Sequence, residues 1–97
     1  MGLLVLSAIC SSVCAQGEVE RAADLGRLGK WVEAKQLLAP AMVSSTHQSS
    51  SRSWFVMGFI HKELHKAEGE FGSDAPERLA AVSCFQRAIQ LALNAPD

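Results

Sequence analysis

The chain has 97 residues, 48% hydrophobic and 20% charged, which allows one small folded domain and excludes a disordered polar tract. Nine Lys and Arg stand against ten Asp and Glu, a formal charge of −1, so nothing suggests a surface built on counterion release from nucleic acid. With no tyrosine, four phenylalanines, two tryptophans and much of the apolar count in alanine, close helix packing is favoured over a β-sandwich, and the expected class is all-α.

Every charged side chain lies after Ala15. Before it come an apolar run from Leu3 to Cys10, the polar pair Ser11-Ser12, and Val13-Cys14-Ala15-Gln16. This is the layout of a secretory signal peptide over residues 1–15, with small residues at Val13 and Ala15 where a signal peptidase reads and the cut after Ala15. The run is far shorter than the ~20 residues a spanning helix needs, so no stable membrane span is expected once the signal is removed. Met1 is not followed by the usual Lys or Arg, and the competing reading is a buried first helix of a cytosolic domain. Leu6 stands where myristoylation wants Ser or Thr, and Ile9 and Val13 stand where lipoprotein processing before Cys10 or Cys14 needs a small residue. The expected location is therefore exported, periplasmic or secreted, and cytoplasmic without the signal. Cleavage leaves Cys84 as the single cysteine, which makes neither an intramolecular disulfide nor a zinc site; on the apolar side of its helix it acts as a small hydrophobe.

From Glu18 to Leu28, Val19, Ala22, Ala23, Leu25 and Leu28 recur at helical spacing, with Glu20, Asp24 and Arg27 opposite. Gly29-Lys30 breaks this helix. A second opens at Trp31, lined by Ala34, Leu38 and Ala41 with Leu37 beside them; Pro40 removes a hydrogen bond and clashes with the Gln36 carbonyl, so this helix is expected to kink there or stop by Ala39. Six serines between Ser44 and Ser53 mark a solvated linker able to cap the next helix, with His47 as a loop residue. The longest helix, about Ser53 to Ala67, has a core face of Trp54, Met57, Gly58, His61 and Leu64. A second face carries Arg52, Phe55, Phe59, Lys62 and Lys66; a third, Val56 and Ile60. Such a helix must be covered on more than one side. After a break at Gly69 to Gly72, Asp74-Ala-Pro76-Glu77 predicts a capped start, with Glu77 reaching back to the cap. The last helix sets Ala81, Phe85, Ala88 and Ala92 inward, Val82, Ile89 and Leu93 flanking, and a polar stripe of Ser83, Gln86, Arg87, Gln90 and Asn94 outward. Asn94-Ala-Pro96 stops it.

Two segments share a plan: Trp31-Val-Glu-Ala34 continuing to Leu38 and Ala41, and Trp54-x-x-Met57-Gly58-x-x-His61 followed by Ala81-x-x-x-Phe85-x-x-Ala88. This resembles the tetratricopeptide repeat (TPR), and the Ala81-x-x-Cys84-Phe85-x-x-Ala88 spacing with a lengthened turn is also similar to Sel1-like repeats. His61 replaces the usual tyrosine, and about ten residues from Gly69 to Arg78 lengthen the inner turn. The resemblance implies antiparallel helix pairs stacked as a short α-solenoid of about two repeats in a domain of residues 16–97: repeat one about 18–43, the serine-rich linker 44–53 and repeat two about 54–97. It also implies that Gly58 and Ala81 let paired helices approach while Trp54 and Phe85 fill the space around them. The bland alternative is an ordinary four-helix bundle.

No chemistry for catalysis stands out. His61 and His65 lie one turn apart around Glu63, but Lys62 and Leu64 occupy the places where zinc-protease helices carry their glutamate. The linker serines lack a strand-to-helix glycine elbow, and Gly26 and Gly29 read as helix-turn glycines rather than a phosphate loop. No enzyme activity, metal or cofactor is expected. By the resemblance, Arg52, Phe55, Phe59, Lys62 and Lys66 line a concave groove, with apolar anchors and a basic rim for a protein or peptide partner. Packing of Phe55 and Phe59 on the preceding helix pair is the equal alternative. The expected function is an exported, non-catalytic scaffold for protein–protein interaction; the rival is a small structural domain that self-associates as a homo-oligomer, since two repeats fall below the ~3 a stable stack usually needs.

Overall fold

A computed structural model describes residues 17–68 and 75–94, and the expected signal peptide and the Gly69–Asp74 break lie outside them. The described residues form α1 (17–27), α2 (Trp31–Ala41), the short α3 (Ser45–Gln48), α4 (Ser51–Glu68) and α5 (Pro76–Asn94), with no strand among them.

α1 closes in a Schellman turn. Lys30 N–H bonds Leu25 C=O at 2.9 Å and Gly29 N–H bonds Gly26 C=O at 2.9 Å, while Gly29 takes φ +77°, a left-handed position that favours glycine. The helix ends before Leu28, which is 70% exposed and not part of the buried face its spacing suggested. α2 runs through Pro40 to Ala41 and does not stop at Ala39. Pro40 and Gln36 are both exposed, so the carbonyl that Pro40 leaves without a helical donor can turn to water; Met42 N–H, shared between Leu38 and Ala39 C=O at 3.2 Å each, closes the end.

The serine-rich stretch is more structured than a linker. Ser44 Oγ accepts from His47 N–H at 3.3 Å and caps α3, and Ser50 Oγ accepts from Ser53 N–H at 3.2 Å at the start of α4. His47, expected in a loop, is 2% exposed. α5 begins at Pro76, with Leu79 N–H bonding Ala75 C=O; the expected cap Asp74 lies outside the described residues, and Glu77 meets Lys35 and His61.

α4 is the central element. On one side it lies antiparallel to α5: Ser51 Oγ donates to Ala88 C=O at 2.9 Å, Gly58 faces Cys84 and Phe85, and His61 meets Glu77. A Cβ on Gly58 would stand 2.9 Å from two Phe85 ring carbons and 3.2 Å from Cys84 Cβ, so only glycine admits this approach without a shift. On the other side Val56, Ile60 and Leu64 join Val19 and Ala22 of α1 and Ala34 and Leu38 of α2 in one core, which Met57 and Cys84 complete from the α5 side.

Candidate functional site

Three faces of α4 were legible, and two are buried. The third, carrying Arg52, Phe55, Phe59, Lys62 and Lys66, stays largely open. Phe55 is 51% exposed, Phe59 is half-buried and the three cations are exposed. Between this face and α1 lies an apolar cavity of about 310 Å³. Arg52, Phe55, Val56 and Phe59 form its α4 wall, and Ala22, Ala23 and Gly26 its α1 wall, closed at one end by Trp31 and Arg27.

A row of rings from three helices runs past it, of which Trp31, Phe59 and Phe55 line the cavity and Phe85 lies outside the lining. Trp31 and Phe59 centroids lie 5.8 Å apart, Phe59 and Phe55 6.2 Å, and Phe55 and Phe85 5.8 Å, all tilted, within the range at which aromatic pairs attract. Phe59 therefore packs on the first helix pair through Trp31, whereas Phe55 presents half its surface to solvent.

The cations are placed unequally. Arg52 donates through Nε and an Nη to both Glu20 carboxylate oxygens, at 2.7 and 3.0 Å; the hydrogen bond to Arg52 holds the Glu20 carboxyl below its ordinary value and lifts the guanidinium further. This pair joins α4 to α1 and fixes Arg52 at the cavity edge. Arg27 pairs with Asp24 on the same helix. Lys62 Nζ sits 4.6 Å above the Phe59 centroid, a cation–π geometry, and Lys66 leans on Glu63 at 3.3 Å. Arg52, Phe55 and Phe59 line the cavity itself, Lys62 caps Phe59, and Lys66 is not among its lining residues.

The α1 wall was missed. Gly26 is not a turn glycine but a buried position inside α1, where a Cβ would stand 2.6 Å from the Trp31 ring. The available signal was Ala22, Ala23 and Gly26 along one helix edge, small residues that leave room beside a bulky neighbour.

A second cavity of about 410 Å³ is lined by Val19, Glu20, Thr46, His47, Ser50, Arg52 and Ser53, and Arg52 borders both. Within it His47 Nδ1 and Ser53 Oγ lie 2.9 Å apart, and His47 Nε2 has no partner among the described residues. Ser53 is 1% exposed and His47 2%, and their contact links α3 to α4. Among the described residues no three His, Cys, Asp or Glu side chains converge to hold a metal ion, and no helix is long and apolar enough to cross a membrane. His61 Nδ1 is 2.6 Å from Glu77. Burial alone pushes the Cys84 thiol up, away from the reactive thiolate.

No protein-family model matches the chain, and no curated protein or solved structure is significantly similar to it.

Proposed function

We propose that this chain is an exported helical-repeat scaffold of the TPR or Sel1-like kind, without catalysis of its own, that binds an apolar peptide segment in the α1–α4 groove. The observation that carries the reading is Phe55: an aromatic ring 51% exposed in a cavity lined otherwise by alanine, glycine, valine and aromatic side chains with Arg27 and Arg52. A ring left half in water at the centre of an apolar cleft is the arrangement that anchors partners at interfaces. Arg52 and Lys62 at the edges, each already oriented by Glu20 or Phe59, can pair with polar or acidic groups flanking an apolar anchor. The short-solenoid arrangement draws support from the antiparallel α4–α5 pair with Gly58 at its closest approach and from α2 packed on α4 through Trp31 and Phe59.

Selection of a random 12-residue peptide library on the protein tests this. The enriched peptides should share an apolar anchor and lose ~2 kcal/mol or more of binding to Phe55→Ala, whose melt should stay close to that of the parent because the ring is half exposed. Peptides that bind Phe55→Ala as well as the parent would overturn the groove as the binding site.

A further inference from the structure

α5 turns Ala81, Cys84 and Ala88 into the core. The opposite side was expected to be a polar stripe with apolar residues only at its edges. Instead Leu79, Val82, Ile89 and Leu93 are 51, 45, 58 and 79% exposed, and at 3.6 residues per turn all four fall within about 60° of Gln86 around the helix. Ser83 and Gln90 share that face. No charged residue does: Arg78 and Arg87 lie further round, and Glu77 turns inward to Lys35 and His61. A helix face left to water is ordinarily charged, so this one is shaped for cover.

Its order says what covers it. Leu79, Val82, Gln86, Ile89 and Leu93 are spaced three, four, three and four, the repeat of a helix seam that packs knobs into holes. The row is also nearly palindromic. Gln86 is central, a β-branched residue follows on either side, and a leucine lies seven residues away at each end. A two-fold interface requires the same patch to be complementary to itself, and an antiparallel copy of this row meets that requirement: Leu79 falls against Leu93, Val82 against Ile89, and Gln86 against Gln86. In that alignment the two Arg78 side chains stand at opposite ends of the seam, and the two Arg87 side chains flank the axis from about 100° round the helix, outside the row. The paired Gln86 amides can bond one another, a central polar contact that fixes register. The other strongly exposed aliphatics, Leu28, Val32 and Val43, cluster at the ends of α2 and form no such row.

We infer that the outer face of α5 is a self-association surface, pairing antiparallel with the same face of a second copy about a two-fold axis at Gln86. It uses none of the residues that line the α1–α4 cavity, so it stands or falls independently of the groove. One helix face about 21 Å long belongs to the small, weak class of interfaces, and association is expected at micromolar concentrations.

Sedimentation velocity on the full chain from about 1 μM to about 1 mM spans that range. The mass should climb from monomer to dimer with concentration. Ile89→Glu, at a position 58% exposed, should keep the parent's helicity and melt while weakening association about tenfold or more. A benzophenone amino acid in place of Gln86 should crosslink to α5 of the second copy, around Gln86 itself. A monomer at every concentration, dimerisation of Ile89→Glu as tight as the parent, or a crosslink to another element would each overturn the inference; the first of these is also the result expected if a helix of a different protein occupies the face.

Discussion

Glu77 is the most informative place to break the fold. From the first turn of α5 its Oε1 accepts from Lys35 Nζ of α2 at 2.8 Å and its Oε2 lies 2.6 Å from His61 Nδ1 of α4, so one carboxylate joins three helices. The Glu77 and His61 side chains are 14 and 13% exposed and Lys35 40%. Exposed ion pairs contribute ~0–1 kcal/mol, and stripping one partner from a fully buried pair costs ~3–5 kcal/mol. With Lys35 half in water, Glu77→Gln should cost about 1–2 kcal/mol at pH 7, part of it the lost attraction to the α5 N-terminus. For a domain of this size that lowers the melting temperature by roughly 4–8 °C per kcal/mol, read by circular dichroism. A cycle with Lys35→Met should return a coupling of about 0.5 kcal/mol or more.

The same carboxylate makes a pH prediction. Burial works to raise the Glu77 pKa, but hydrogen bonds from Lys35 and His61, together with their charges, outweigh it and hold the group below its ordinary value of 4.5. The unfolded chain therefore binds the proton first, and stability rises with pH through that window. The contribution is complete above the unfolded value and is lost as pH falls through the folded one. The gap between parent and Glu77→Gln should thus be widest near neutrality and shrink below about pH 4. A gap that is absent at pH 7, or that stays constant down to pH 3, would refute the three-helix link.

Phe59→Ala should cost about 1.5–3 kcal/mol, less than the ~3–5 of a fully buried ring because Phe59, though more buried than Phe55, keeps part of its surface in water; chemical denaturation measures it, and a cost no larger than that of Phe55→Ala would contradict the difference between the two rings. Ser53→Ala removes the hydroxyl that pairs with the buried His47 ring and should cost about 1–3 kcal/mol, with amide exchange accelerating first in α3.

The helices were legible where an apolar period coincided with a stop signal. Trp31 to Ala41 and Ser51 to Glu68 lie within a few residues of their expected bounds, and Gly29 ends α1 as a left-handed cap. Gly58 against Phe85 was legible across two elements, but several other inferences needing two elements at once failed. His47 reads as a loop residue because its neighbours are serines, yet those serines cap α3 and α4 and seat the ring on Ser53. Glu77 reads as part of a capping box, and its contacts with Lys35 and His61, distant in sequence, leave no mark in the local pattern. Val82, Ile89 and Leu93 sit at spacings that a core helix and an outward seam share, and periodicity cannot tell which side of α5 meets α4. The α4 half of the candidate site was legible as a face of two phenylalanines among cations. Its α1 half was not, since alanine and glycine carry no chemistry and acquire meaning only beside Trp31.

That relation generalises within the molecule. Gly26 and Gly58 are each met by a ring, Trp31 and Phe85 respectively, and those two rings are the ends of the row that passes through Phe59 and Phe55. The glycines thus set where the row begins and ends, and so how far Phe55 stands out of the groove. Gly26→Ala tests this directly. Alanine should gain about 1 kcal/mol in helix propensity, but its Cβ would stand 2.6 and 2.9 Å from two carbons of a rigid indole, and displacing a packed ring typically costs about 1–3 kcal/mol. Overpacking should win, leaving a net loss of up to about 2 kcal/mol. Because Trp31 must move, its fluorescence should change even if the net loss is small, and its contact with Phe59 should carry the displacement into the cavity wall. A Gly26→Ala protein with a raised melting temperature and an unaltered emission spectrum would show that the ring has room to spare and that glycine is not what shapes the groove.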